Sequence, residues 1–198
     1  MNSELQGYGD QLLSVRQDAV GLMSGLSDAQ FNWQPAPGRW SMAGCVEHLN
    51  KSASIVFIPK IDKAIATARS QGLKSDGPFA FSAFERWAIR TNDAPAKMRF
   101  KAARGTRPSP NLSLDQVRTE FVQWQDELSK RIHEAEGLDL RRAKETFPFW
   151  PLKWSLGAFI LMMISHERRH VYQAREVRQA PGFPALTSSL PPSSSTRR

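Results

Sequence analysis

The chain has 198 residues, of which 40% are hydrophobic and 23% charged. That length supports one domain with a real core and is short for two, while six Trp and eleven Phe exclude a disordered chain. The net charge of +8 comes from 27 Lys and Arg against 19 Asp and Glu, and Cys45 is the only cysteine; a lone cysteine excludes an internal disulfide or a multi-cysteine zinc site and suits a reducing, cytoplasmic compartment.

Basic charge can attract nucleic acid through release of phosphate counterions. Part of the excess here sits in residues 85–107, ERWAIRTNDAPAKMRFKAARGTR, whose prolines and polar residues suggest a partly irregular connection. A solvated basic surface is the simpler account, and no nucleic-acid partner is expected. The N-terminus, MNSELQGYGDQLLSVRQD, lacks a basic region followed by an apolar run, so no export signal is expected. The most apolar stretch, LGAFILMMI at 156–164, is far shorter than the roughly 20 residues that span a bilayer. It reads as a buried helix segment, and no membrane partner is expected.

In chain order, Leu12, Val15, Ala19, Leu22 and Leu26 recur at spacings of three and four, which predicts an amphipathic helix over about residues 3 to 25. Ser27 with Gln30 forms a capping-box pattern for a short turn, and QPAPGRW follows as a loop. Ser41 is placed to cap a second long helix carrying Val46, Leu49, Ala53, Val56, Phe57, Ile61, Ala64 and Ile65 on one face and fading near Gln71 and Gly72. Residues 73–111 are punctuated by glycine and proline, with a short helical stretch around FSAFERWAIR. Ser113 with Gln116 repeats the capping-box pattern before Leu114, Val117, Phe121, Trp124, Leu128, Ile132 and Ala135, a third helix ending at Gly137. After the aromatic loop FPFWPLKW, Ser155 is placed to cap a fourth helix that runs to about Arg178 and stops before Pro181 and Gly182. With no period-two strand in view, the expected architecture is all-α, a four-helix bundle with a long crossover between the second and third helices. It forms a single domain over residues 1–182, and the Pro/Ser-rich residues 183–198 are expected to be disordered.

The stretch SHERRHVYQ at 165–173 contains H-E-x-x-H, the pattern of zinc peptidases. On a helix, His166 and His170 lie about 40° apart on neighbouring turns, with Gln173 in the same line. Two such imidazoles can address one ion, but tetrahedral zinc needs a third protein ligand beside an open position. A zincin takes that ligand from downstream, where this chain offers no His or Cys and a single carboxylate, Glu176, pointing elsewhere. A zincin peptidase is therefore not expected. Upstream, His133 lies off its helix's apolar stripe and suits solvent. His48 is the better candidate, at the edge of the second helix's apolar face in line with Cys45, Ser52 and Ile55. Cys45 reads as a small buried thiol. Satisfied core histidines without a metal are the competing account.

The stretch LSDAQFNWQPAPGRWSMAGCVEHLNKS (26–52) resembles the first-histidine region of the DinB/YfiT-like superfamily, and SHERRHVYQ resembles its last-helix signature, His-x-x-x-His with Gln three residues on. This resemblance, over about residues 5 to 180, implies an up-down-down-up bundle in which His48, His166 and His170 hold a divalent metal. Zinc is the leading choice, with nickel, iron or manganese as alternatives. It also implies a frequent homodimer. Gln173 matches a polar position that orients a histidine or a bound water from behind the ligands, and Glu167 a position acidic in many relatives, which makes it a candidate for a catalytic role, although its angle from His166 also suits the helix surface. Characterised relatives include transferases and isomerases that use a low-molecular-weight thiol, and many others are assigned only as metal-dependent hydrolases. The resemblance thus implies a metal-dependent thiol S-transferase or hydrolase acting on a small molecule, with a non-catalytic, structural metal-binding bundle as the alternative. Trp33, Trp40, Trp150 and Trp154, from the loops before the two histidine helices, are candidates for the site mouth, with core packing or loop anchoring the simpler role.

Overall fold

A computed structural model describes residues 2–95, 101–146 and 153–185, and it is mostly helical. Helix α1 (Ser3–Met23) begins where the Asn2 side chain accepts from the Leu5 amide, and it buries Leu5, Tyr8, Leu12, Val15, Ala19 and Met23. Gly25 then turns the chain at φ +73°, a conformation that favours glycine. The short helix α2 (Asp28–Asn32) carries the expected capping box: Ser27 accepts from the Gln30 amide while the Gln30 side chain accepts from the Ser27 amide. The same glutamine donates to the Pro184 and Ala185 carbonyls, and Phe183 meets Trp33 edge-on at 5.6 Å. The expected tail begins inside this described stretch, and residues 186–198 lie outside the described residues.

Ser41 caps α3 (Met42–Ser52) by accepting from the Gly44 amide. The helix does not run straight on, as the periodicity predicts. A π-turn over Ala53–Phe57 separates α3 from α4 (Ile58–Ser70). Pro59 supplies a physical reason, since it has no N–H for the carbonyl four residues back and its ring crowds that carbonyl. The wider turn accommodates both defects, and it shifts the helical register that follows. Ile55, expected in line with His48, is instead 55% exposed, while Phe57, Ile58 and Ile61 turn inward.

The crossover contains α5 (Ala83–Asn92), which opens on a complete Ser82/Glu85 capping box, and a short 3₁₀ turn, Arg104–Thr106. Helix α6 (Leu114–Glu134) starts at Ser113, which accepts from the Gln116 amide. The reciprocal half of the expected box is missing, because the Gln116 side chain turns to Glu120. Two three-residue strands, β1 (Lys144–Thr146) and β2 (Lys153–Ser155), pair antiparallel with Lys144 opposite Ser155. The sequence reading anticipates no strand, and three residues are too few to show alternation. Ser155 caps α7 (Leu156–Arg178), which is buried on most sides.

Helices α1 and α3 each pack on both α6 and α7, and α5 covers the start of α7. The interior falls into two large apolar clusters. One includes Phe57, Ile61, Leu128, Ile132, Phe159 and Met163, and the other Met42, Val46, Leu49, Phe121, Val171 and Val177. On α3, α6 and α7 the changeover between them is polar: Asn50 and Ser52, then Gln125, then Ser165, Glu167 and His170 are all buried. Two apolar layers thus enclose a polar waist, which is where the histidines lie.

Candidate metal centre

Helix α3 delivers His48 and α7 delivers His166 and His170, so that one nitrogen from each ring lies within 4.8 Å of the other two. His48 and His170 are 5% and 8% exposed. The His48 and His166 Nε2 atoms are 3.2 Å apart, close to the roughly 3.3 Å between two ligands on a tetrahedral ion with Zn–N near 2.0–2.1 Å.

Two of the rings are fixed from behind. His48 Nδ1 donates to the Thr106 carbonyl at 2.7 Å, and His170 Nδ1 donates to Gln173 Oε1 at 3.1 Å. A carbonyl oxygen can only accept, so both protons sit on Nδ1 and both Nε2 lone pairs are left free. Burial is the first cause that holds all three imidazoles below their ordinary pKa. For His166 and His170 the drop is large, and the neighbouring histidines and the Arg169 charge add to it. Neutral, lone-pair-bearing imidazoles are the protonation state a metal ion requires.

The protein by itself does not satisfy this arrangement. If His166 protonates Nε2 to donate to His48, its Nδ1 becomes a buried bare acceptor. If it protonates Nδ1 instead, two lone pairs face each other. In both cases His166 Nδ1 has no hydrogen-bond partner. A divalent cation between the rings resolves the facing lone pairs, so the residues present fit the group.

Aromatic rings form the walls. The Trp40 ring lies 4.9 Å from that of His48 and stacks on His170 at 5.6 Å with planes 26° apart, while Phe57 stands 5.4 Å from His166. Of the three described tryptophans considered for the mouth, Trp33, Trp40 and Trp154, only Trp40 is placed there. Trp33 packs on Phe183, and Trp154 is buried with Phe84 beneath α5. These two lie where their loops meet other elements rather than where the histidine helices converge. Trp150 falls outside the described residues.

His133 is exposed on α6, where its Nδ1 donates to the Ser129 carbonyl of its own helix. Cys45 is fully buried and stands outside the histidine cluster. Burial pushes its thiol up to about 12, against a small opposing effect of Arg39, which leaves it inert at neutral pH. Glu167 is not on the surface. It is 1% exposed and accepts from Gln125 Nε2 on α6 at 2.5 Å. Burial pushes its carboxyl up to about 7, and the Gln125 hydrogen bond offsets this only in part. A helix packed on most sides has no solvent face at that angle, which is why the surface expectation fails.

Sequence reasoning missed Thr106, whose contribution is a backbone carbonyl, and it missed Gln125, a polar residue on an otherwise apolar stripe. The second carries a signal, because a glutamine between Phe121 and Leu128 on the buried face needs a partner.

A family model of the DinB superfamily matches residues 11–174. The chain belongs to the DinB superfamily, whose members often bind metal. A search of the curated proteins and of the solved structures finds no match.

Proposed function

We propose that this chain is a divalent-metal-dependent enzyme, with His48, His166 and His170 as ligands, that acts on a small molecule as a thiol-dependent S-transferase or a hydrolase. One observation carries the reading: three neutral imidazoles converge, those of His48 and His170 buried and that of His166 partly so, and the Nδ1 donations of His48 and His170 leave both Nε2 lone pairs free. When bound, a divalent ion on three neutral ligands keeps its full charge and lowers the pKa of a thiol or water at its open position. Gln173 holds the His170 ring, and Thr106 holds that of His48. The Trp40 face borders the cluster and supplies an apolar surface for a substrate. Glu167 belongs to the polar waist, where it pairs with Gln125 instead of meeting the reacting atoms. The same reading includes an up-down-down-up arrangement of the four long helices, homodimerisation and a cytoplasmic setting.

Metal analysis after purification tests the ligand set. Roughly one divalent ion per chain is expected in the wild type and a substoichiometric amount in His48→Ala, His166→Ala and His170→Ala. No rebinding by the wild type overturns the reading. Turnover is tested by presenting low-molecular-weight thiols, or water alone, with an electrophilic acceptor. The metal-loaded wild type is expected to turn over and His170→Ala to be inactive. Full metal content without turnover in either arm favours a metal that only ties α3 to α7.

A further inference from the structure

His48 owes its orientation to a carbonyl that lies far away in the chain. Thr106 ends a single 3₁₀ turn within the crossover, and the next residues, Arg107 to Pro110, form neither helix nor strand. Nothing in the local backbone explains why that carbonyl should stop 2.7 Å from an imidazole on α3.

The explanation lies on α3 itself. Glu47, His48 and Lys51 occupy adjoining positions on one helix face. Glu47 Oε2 accepts from the Ser109 amide at 2.5 Å. Lys51 Nζ donates to the Arg107 carbonyl at 2.9 Å and to Ser109 Oγ at 3.1 Å. The two side chains are joined by an ion pair of 3.0 Å, with Glu47 10% and Lys51 28% exposed. Between these contacts Pro108 lies over Gly44 so closely that an added Cβ there would stand 3.4 Å from the proline ring. An isolated surface ion pair would leave its remaining hydrogen-bonding capacity to water. Here that capacity goes to the backbone and hydroxyl of residues 107–109.

We propose that Glu47 and Lys51 are positioning residues for the metal site, clamping residues 106–109 onto α3 and so fixing the Thr106 carbonyl that sets the tautomer and ring orientation of His48. The assignment rests on the metal reading above. With the clamp open, the carbonyl withdraws and His48 can place its proton on Nε2, where the metal needs a lone pair. Loss of such an orienting partner typically lowers metal affinity about 10- to 100-fold.

The test compares the full-length wild type with Glu47→Gln, Lys51→Met and the double variant. The first readout needs no metal: imidazole nitrogen NMR of the stripped protein reports the His48 tautomer. The Nδ1–H form is expected in the wild type and a mixture with Nε2–H in the double variant. The second is zinc affinity by chelator competition, together with the visible absorption of the cobalt(II)-loaded protein. We expect affinity lower by about 10- to 100-fold and an altered cobalt spectrum, with Lys51→Arg restoring part of both. Lys51 is the more exposed partner, so Lys51→Met reports on the clamp if Glu47→Gln fails to fold. An unchanged tautomer, with zinc affinity and cobalt spectrum as in the wild type, overturns the clamp and leaves the metal reading standing. A wild type that binds neither zinc nor cobalt overturns both.

Discussion

Gln125 and Glu167 meet across the waist, where each has few alternatives. The glutamine amide donates to the carboxyl at 2.5 Å, and both residues are almost fully buried. Removing one partner strands the other, so Gln125→Leu is expected to cost about 1–3 kcal/mol in chemical denaturation. Replacing both with apolar residues of similar volume, Gln125→Leu with Glu167→Met, should recover most of that loss. Full additivity of the two single losses would show that the pair is not coupled. The same scale shows what the sequence could reveal. His166, His170 and Gln173 are legible because helical spacing alone puts them in one line, and His48 because few histidines were left to complete the set. Thr106 was not legible, since every residue has a carbonyl and only the path of the crossover decides which one reaches His48. The helix-surface reading of Glu167 failed because its angle from His166 does not tell how many neighbours surround α7.

At the level of elements, the helix starts at Ser27, Ser41, Ser113 and Ser155 could be read from side-chain chemistry, which acts within a few residues. The π-turn could not be found by periodicity, because one extra residue shifts the pattern only after Ala53; its signal was Pro59, inside an otherwise helical run. Contacts between elements were hidden as well. Glu85, which completes the cap of α5, also accepts from the Ser155 amide at 2.8 Å and the Ser155 hydroxyl at 2.7 Å, so one carboxylate joins the starts of α5 and α7. Burial raises its pKa, but the donors from Ser155 and Ser82 outweigh that and hold it below the ordinary carboxylate value. A carboxyl depressed in the folded state stabilises it above the unfolded pKa of about 4.3, and that contribution is lost as pH falls through the folded value. Glu85→Ala should therefore cost about 1.5–3 kcal/mol at pH 7. The gap from wild type should narrow steadily below about pH 4. A gap independent of pH would mean that the carboxylate charge contributes nothing to the joint.

For the whole molecule, the two apolar clusters hold the helices together and the polar waist between them holds the site, which puts stability and metal binding in opposition. Without a cation the waist contains three desolvated imidazoles, and His166 Nδ1 is buried with no partner. A buried polar group left unpaired costs about 1–3 kcal/mol, whereas an apolar side chain of similar size beside Phe57 carries no such penalty. Metal acts in the other direction. A ligand that binds only the folded state adds about 4 kcal/mol when present at a thousand times its dissociation constant. The variant His166→Met separates the two effects. In stripped protein it should melt at or above the wild-type temperature. With saturating zinc the order should reverse, because the wild type gains the binding energy and the variant loses most of it. If His166→Met instead lowers the melting temperature of the stripped protein by as much as a core truncation does, the histidine is part of an ordinary packed core, and the waist was not shaped around an ion.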